Sequence, residues 1–334
     1  MKHNFYQSLF LIVALIFIFN QIATAQNGEA GRQFRGTIGG KNVEMRLFFD
    51  KENNVRGSYR YQGGRGELAL KGRLAGDKLT LEEFDSNKKK TGSFKCEVAP
   101  EDEEATMNLS CDWQKPSGDN TLGVTLTEQH VEFTNNLQIA AKQIVERRLA
   151  IAANYPQIVG ANSPAIAKFN SAAAALVAKL IKGYKTDYEP IPGETVYSLD
   201  YNILLATNDL ISVEFVEDYS GNSAYPNSAT YSLNYSLQGA GREIKAEELF
   251  KPKTNFRAAI AKFSLESINK ELKSQNQSDL PAEYVSDFDN WALTRKGIVV
   301  YYEFPHVLAA LGRVFVPFSA LREHLNERGA AIFR

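Results

Sequence analysis

Eight short runs of alternating apolar and polar residues follow one another between Gln33 and Thr127, each separated from the next by a turn. Alternation with a period of two is typical of β-strands. Glycine, asparagine and aspartate dominate the separators because they tolerate the backbone geometry of tight hairpins. The predicted strands span residues 33–38, 42–49, 55–61, 66–73, 78–84, 91–98, 105–113 and 121–127. The segment 30–128 is therefore predicted to be an all-β, up-and-down meander, closed as a small barrel or folded as a sandwich.

The interior of such a barrel can be filled by side chains or can hold one small ligand. Nothing in the alternating pattern requires a cavity, so we expect a filled core. A small-molecule carrier that uses the interior of this β-domain remains an alternative.

Cys96 and Cys111 are the only cysteines, and they fall on the sixth and seventh predicted strands, on either side of an acidic connection at 101–104. In an exported protein an even pair of cysteines is interpreted first as a disulfide. Neither a CxxC spacing nor a nearby histidine favours a reactive thiol or a metal site. We therefore predict a Cys96–Cys111 disulfide.

The N-terminus has the pattern of an export signal. Lys2 precedes an apolar run over 8–19, and Ala23 and Ala25 form an A-x-A cleavage site. A membrane-spanning helix needs about 20 apolar residues, so the run indicates a cleaved signal peptide at 1–25, with an uncleaved anchor as the alternative. We expect an exported chain, periplasmic or extracellular, without a lipid anchor, because no cysteine lies near the cleavage site.

The charge balance argues against a nucleic-acid partner. The chain has 38 Lys and Arg against 39 Asp and Glu, and removal of Lys2 with the signal leaves a formal net charge of −2. This balance supplies no electrostatic footprint for nucleic acid. With 44% hydrophobic residues among 334, the chain can form two domains with separate cores.

After Glu128 the pattern changes, which predicts a linker at 129–143 and an α+β domain at 144–334. A strand is expected over 144–153, and Ser163 and Pro164 predict the start of a helix that continues to Gly183. A second helix is expected after a Thr254 cap.

Three alternating segments, at 197–205, 211–215 and 230–237, place apolar side chains on one face and Ser, Thr, Asn or acidic side chains on the other. They predict an antiparallel sheet with helices packed on one face and a solvated opposite face. That polar face is a possible docking surface for a glycan or a partner, although solvent exposure alone would explain it.

No catalytic constellation is evident. The mature chain keeps His130, His306 and His324, none of them paired at a metal-ligand spacing, and it has no H-E-x-x-H or G-x-S-x-G motif. Carboxylates are plentiful, but the sequence singles out no pair. We expect a non-catalytic protein without cofactor or metal, with a hydrolase of cell-wall polymer, acting through an unrecognised carboxylate pair, as the alternative.

The loop at 218–228, DYSGNSAYPNS, is the candidate binding surface because it is longer than a tight hairpin needs. Rigid phenol rings and small polar side chains suit an adaptable contact surface. The alternative is a solvated loop whose tyrosines pack onto the core. His306 follows a predicted strand and is expected near the same end of the domain. The candidate ligand-contacting residues are Tyr219, Gly221, Asn222, Tyr225, Pro226, Asn227 and His306.

Several short motifs in the second half match a known type of module. They are YPQI at 155–158, the block 219–227 leading into SLNYSL at 232–237, GR at 241–242, ELF at 248–250, and FPHVLAALG at 304–312 running into Val316-Pro317. On these residues, about 144–325 resembles the extracytoplasmic module of lysozyme-sensing anti-sigma factors, which is also an accessory region of some peptidoglycan deacetylases.

The resemblance implies a module that binds a lysozyme-like protein or a peptidoglycan-type glycan. Two departures limit it. Such modules often carry histidine before the Pro-Asn pair, where this chain has Tyr225. A deacetylase catalytic domain is not evident, and few residues precede the apolar segment, so we expect neither deacetylase activity nor a signalling output.

Overall fold

The computed structural model describes residues 30–64, 66–99, 101–134, 136–188, 190–191, 195–220 and 227–332. The predicted signal peptide at 1–25 lies outside the described residues. The described chain forms a closed eight-stranded barrel, then a six-stranded sheet with a long helix, and a three-stranded sheet. The predicted fold class, an all-β part followed by a sheet-and-helix part, is confirmed.

The barrel strands are antiparallel and follow chain order, and the first and last strands pair to close the sheet. They are β1 (Ala30–Ile38), β2 (Lys41–Phe49), β3 (Asn54–Tyr61), β4 (Leu68–Ala75), β5 (Lys78–Phe84), β6 (Lys90–Val98), β7 (Asn108–Gln114) and β8 (Thr121–Gln129). Each overlaps its predicted strand. The turns use left-handed residues where expected, for example Asn53 at φ 61° and Gly76 at φ 63°.

Large side chains fill the barrel, as expected, among them Phe34, Leu47, Tyr59, Leu81 and Phe94. Glu83 is also inside. Its carboxylate accepts hydrogen bonds from Tyr59 Oη at 2.5 Å, Trp113 Nε1 at 2.8 Å and Thr91 Oγ1 at 2.6 Å. Three donors compensate for burying this polar group. The filled interior disfavours the carrier alternative.

The predicted Cys96–Cys111 disulfide is present, and the two cysteines lie directly opposite each other on β6 and β7. We expect the C96A/C111A variant to lose about 3 kcal/mol of unfolding free energy, because the disulfide closes a loop of about 15 residues in the unfolded chain. Urea denaturation of both proteins without reductant measures this loss. An unchanged midpoint would contradict the prediction.

The six-stranded sheet has the order β14-β13-β12-β11-β10-β9. Its strands are β9 (Gln138–Glu146), β10 (Ile151–Val159), β11 (Val196–Ala206), β12 (Leu210–Ser220), β13 (Asn227–Ser236) and β14 (Arg242–Glu243). All neighbours are antiparallel except β10 and β11, which are parallel and connected through helix α1 (Pro164–Asp187). The predicted start of α1 is confirmed, because the Ser163 side chain accepts a hydrogen bond from the Ile166 amide at 3.2 Å.

The single strand predicted at 144–153 is wrong. The chain makes a 3₁₀ turn at Arg147–Leu149, and Ala150 takes a left-handed conformation at φ 49°. The turn separates β9 from β10, and β10 continues through Pro156, where the strand was expected to have ended. No glycine, proline or asparagine marks this turn, so the alternating pattern runs through it without a break.

The polar face of the sheet is also not solvated as predicted. A second sheet covers it, composed of β15 (Trp291–Leu293), β16 (Gly297–Tyr301) and β17 (Arg313–Pro317). Ser212 is 0% exposed and Asn234 is 5% exposed. Ser212 Oγ accepts a hydrogen bond from the Leu293 amide at 2.8 Å, and Asn234 Nδ2 donates to the Trp291 carbonyl at 2.7 Å. These side chains form hydrogen bonds with backbone groups at the edge of β15 that would otherwise be buried without partners. This requirement explains why polar residues occupy a buried face.

Helix α2 (Phe256–Ser274) packs on the three-stranded sheet, and two short helices follow, α3 (Phe318–Leu321) and α4 (Glu327–Ile332). The cap of α2 is Asn255, whose side chain accepts from the Ala258 amide at 3.3 Å, so the prediction of Thr254 was wrong by one residue. By length and a mean hydropathy of 1.2, α1 is a candidate membrane span. Its apolar side chains pack against the six-stranded sheet, as in the core helix of a globular domain.

β10 pairs with β11 only over the first residues of each strand. The rest of that edge of β11 is left for contacts with the barrel. The Arg35 guanidinium lies 3.6 Å from the centre of the Tyr201 ring, donates to Asp200 at 2.9 Å and donates to the Tyr201 carbonyl. Within the segment expected to be a linker, 129–143, Val131 forms a β-bridge with Ala206. The first part of β9 also lies in this segment.

Candidate functional site

The candidate loop joins β12 to β13, and Tyr219 lies directly opposite Asn227 at its base. Residues 221–226 lie outside the described part of the chain, and they include the candidates Gly221, Asn222, Tyr225 and Pro226. The geometry therefore concerns Tyr219, Asn227 and His306. The binding role of all seven residues stays a prediction.

Five tyrosines gather at the base of this loop, and we call them the tyrosine cluster: Tyr184, Tyr188, Tyr197, Tyr219 and Tyr231. Tyr184 and Tyr188 lie one turn apart at the end of α1, and Tyr197 lies opposite Tyr219 across β11 and β12. The ring centres are 4.6 Å apart for Tyr188 and Tyr219, and 4.7 Å for Tyr184 and Tyr197. These distances are typical of packed aromatic pairs.

Three hydroxyls of the cluster, those of Tyr197, Tyr219 and Tyr231, have a raised pKa. Burial is the main cause that raises the pKa of Tyr219 and Tyr231 above its ordinary value. Tyr188 Oη and Tyr219 Oη lie 2.7 Å apart, and Tyr231 Oη donates to Glu217 Oε2 at 2.9 Å. Burial also raises the pKa of Glu217, although the tyrosine hydrogen bonds oppose that rise. The cluster is a packed aromatic layer over one buried carboxyl group, that of Glu217.

Exposed aliphatic side chains surround the same end of the sheet. Val196 at the start of β11 is 56% exposed, Val145 on β9 is 50% exposed, and Ile191 is 40% exposed. Lys185 near the end of α1 bonds Glu146 at 2.6 Å, which holds the end of β9 beside the helix. By strand alternation, Val145 and Val196 point to the sheet face opposite Tyr197 and Tyr219, so they flank the end of the sheet that carries the tyrosine cluster.

His306 is exposed and begins a 3₁₀ helix, His306–Leu311. The charge of Glu303, three residues earlier, contributes to the raised pKa of Tyr231. Glu303 therefore lies within electrostatic reach of Tyr231, and the position of His306 beside the loop stays a prediction. Val307, the next residue, is 86% exposed.

A second site, which the sequence did not indicate, is a cleft of about 190 Å³ between the barrel and the sheet. Its walls include Glu104 and Glu128 of the barrel part and Glu214 and Arg313 of the sheet part. Arg313 Nη2 donates to Glu104 at 3.0 Å, and Arg313 Nε donates to Glu214 at 2.9 Å. Arg313 thus joins the two parts of the chain through two carboxylates.

The charges in this cleft hold the two parts together. Burial alone would raise the pKa of Glu214, but the charge and hydrogen bonds of Arg313 outweigh burial and lower it. Burial raises the pKa of Glu128, which accepts hydrogen bonds from Arg32 at 3.0 Å and from the Met107 amide at 3.0 Å. Each of these carboxylates already has an arginine partner, which favours a structural role over acid–base chemistry.

Among the residues that the structure describes, no group of three or more His, Cys, Asp or Glu is arranged to hold a metal ion. The cleft and the tyrosine cluster differ in the chemical character of their side chains. The cleft is polar and internally paired, whereas the tyrosine cluster is aromatic and has exposed aliphatic neighbours.

No curated protein matched the chain. A solved member of the DUF3298 family from Bacteroides fragilis NCTC 9343 aligns with a TM-score of 0.43 at 17% identity, over 60% of this chain and 98% of that chain. A DUF3298 protein from Pseudomonas aeruginosa PAO1 aligns with a TM-score of 0.41 at 12% identity, over 57% of this chain and 94% of that chain. Residues 247–318, which contain α2 and the three-stranded sheet, match the family model described as "Protein of unknown function (DUF3298)".

Proposed function

We propose that this chain is an exported, non-catalytic binding protein of the cell envelope, and that its ligand contacts the tyrosine cluster and the loop above it. The observation that carries the proposal is the layer of five tyrosines, of which Tyr188, Tyr219 and Tyr231 are partly exposed, at the end of the sheet where Val196, Val145 and Ile191 are also exposed. Tyrosine supplies a large contact area with few rotatable bonds and is enriched among residues that dominate binding energy.

Export is supported by the signal-peptide pattern at 1–25 and by the Cys96–Cys111 disulfide. Disulfides persist in oxidising compartments outside the cytosol. A non-catalytic role is supported by the cleft carboxylates, because Glu104 and Glu214 are both bound by Arg313.

A lysozyme-like protein is the ligand that this surface favours. The cores of protein interfaces are enriched in tyrosine, as this surface is. The cluster hydroxyls of Tyr188, Tyr219 and Tyr231 bond within the protein, which leaves fewer polar groups for a sugar. A peptidoglycan-type glycan is the second candidate, because the Ser and Asn side chains of the 221–226 loop suit hydroxyl-rich ligands.

Titration calorimetry of the chain from residue 26 onward against a c-type lysozyme, and separately against soluble muropeptides, tests the proposal. We expect lysozyme to bind with a Kd of about 1 μM or tighter, which corresponds to about −8 kcal/mol. Binding of muropeptides alone would transfer the assignment to the glycan. If a folded sample binds neither ligand at about 100 μM, which corresponds to about −5 kcal/mol, the proposed function is wrong.

A further inference from the structure

A second surface, on the outside of the barrel, carries five exposed cations. We call Arg46, Arg56, Lys71, Arg73 and Lys95 the barrel basic face. They come from β2, β3, β4 and β6, and the antiparallel pairing of successive strands brings them onto one part of the barrel wall. The near-neutral charge of the whole chain conceals this local surface.

The strand register places these cations next to one another. Arg56 on β3 lies directly opposite Lys71 on β4. Arg73 lies opposite Thr80 on β5, and Thr80 in turn lies opposite Lys95 on β6. On their other sides, Lys71 lies opposite Glu82 and Lys95 lies opposite Asp112. Arg56 and Lys71 are therefore the directly opposed pair of like charges, an arrangement that lowers stability on a solvent-exposed face.

Other outer cations of the barrel are arranged differently. Arg60 bonds Glu44 at 2.5 Å, and Lys78 bonds Glu97 at 2.7 Å. Lys90 likewise bonds Glu82 at 2.6 Å. By contrast, among the described residues no carboxylate lies within 4.0 Å of the charged groups of four members of the barrel basic face, which are Arg46, Lys71, Arg73 and Lys95.

Two aromatic rings lie among these cations. The guanidinium carbons of Arg46 and Arg56 lie 4.9 Å and 5.6 Å from the centre of the Phe48 ring. Lys71 Nζ lies 5.9 Å from the centre of the Phe84 ring. Both rings are half-buried on the barrel wall. Flat apolar rings between cations offer a stacking surface beside anion-binding groups.

We propose that the barrel basic face binds an acidic polysaccharide, a chain of sugars that carry carboxylate or sulfate groups. Neighbouring strands lie about 4.8 Å apart, and alternate residues along a strand lie about 6.8 Å apart, so the cations can contact successive anionic groups of a polymer. Arginine binds planar anions through two parallel hydrogen bonds. Phe48 and Phe84 can stack against the apolar faces of sugar rings.

A membrane surface fits this face less well. Side chains that enter a lipid interface project their apolar parts beyond the protein surface, whereas Phe48 and Phe84 are half-buried within the strands. The inference concerns a different part of the chain from the tyrosine cluster. It holds or fails independently of the proposed function.

Fluorescence anisotropy with a labelled heparin octasaccharide tests the proposal on the full mature chain. The R46Q/K71Q/R73Q variant should bind at least about tenfold more weakly than the wild type, and the wild-type affinity should fall steeply between about 50 and 200 mM salt. The matched control R60Q/K78Q/K90Q removes the same number of charges from the same barrel. Its affinity should change less than about twofold, because those cations already have carboxylate partners.

Two further measurements separate a glycan from other polyanions. The F48L variant should weaken heparin binding while leaving the binding of inorganic polyphosphate unchanged, because only the sugar stacks on the ring. Vesicles of phosphatidylglycerol should not displace heparin. Equal losses in the two triple variants, equal effects of F48L on both polymers, displacement by the vesicles, or no heparin binding at low salt would each overturn the proposal.

Discussion

Replacing Arg313 with methionine is expected to lower the free energy of unfolding by about 2 kcal/mol at neutral pH, because it leaves two buried carboxylates without their cation. The side chains of Glu104 and Glu214 are only 8% and 7% exposed, whereas Arg313, their shared cation, is 41% exposed, so solvent screens part of the interaction. Methionine keeps much of the apolar stem, so the loss reports the charge and its hydrogen bonds.

The loss should depend on pH in a defined direction. In the wild type, Arg313 lowers the pKa of Glu214 below its ordinary value of 4.5, so its stabilising contribution is present above that value and disappears as pH falls below it. In R313M, burial acts without the opposing cation and raises the pKa of Glu214. The folded variant then takes up protons more readily than the unfolded chain, so the destabilisation should shrink as pH falls from about 7 to about 5.

The matched control is R328M. Arg328 is 40% exposed, much as Arg313 is, but its partner Glu248 is 21% exposed and is also bonded by Arg242. Such a pair contributes about 0–1 kcal/mol. Urea denaturation of the wild type, R313M and R328M at several pH values measures these differences. A similar small loss in both variants, or a loss in R313M that does not change with pH, would contradict the assigned role of Arg313.

Replacing Val196 with glutamate is expected to weaken ligand binding at least about tenfold, or about 1.4 kcal/mol, because it places an unpaired charge at the end of the sheet that carries the proposed interface. Val196 is 56% exposed, so the melting temperature should change little. The loop variant Y225A/N227A should weaken binding at least about tenfold for a related reason, since truncation of an anchoring tyrosine typically costs about 2 kcal/mol.

V159E is the matched control for V196E. Val159 is 40% exposed and ends β10, beside the start of β9, so it lies away from Tyr197 and the start of β11. We expect its affinity to equal that of the wild type. Equal weakening by V159E and V196E would indicate a general effect of added negative charge. If Y225A/N227A instead binds normally and melts at a much lower temperature, Tyr225 is a core residue.

The barrel was predictable because its strand pairs and turns are determined by residues close together in the sequence. Each strand pairs with its neighbours in the sequence, and most turns have glycine or asparagine at the left-handed position, although Lys88 and Ala105 take it in two of the connections. Cys96 and Cys111 could be paired for the same reason, since the strands that carry them are consecutive. In an up-and-down meander, the alternating pattern and the turns together determine the register.

The second part was less predictable because distant segments decide it. Alternation identified a polar face on the sheet. It did not indicate that the backbone of β15, almost 60 residues beyond Asn234, would form hydrogen bonds with the side chains of that face. The tyrosine cluster depends on where α1 packs, because Tyr188 meets Tyr219 only once the helix lies on the sheet. Periodicity within a segment cannot supply either contact.

The central claim is that ligand binds at the end of the sheet that carries the tyrosine cluster. Amide hydrogen exchange with and without saturating lysozyme tests it most directly, because exchange reports protection segment by segment. The account predicts slower exchange over the end of α1, the start of β11, the end of β12 and the start of β13, with no change at the cleft around Arg313. Protection confined to that cleft, or to the barrel, would contradict the claim.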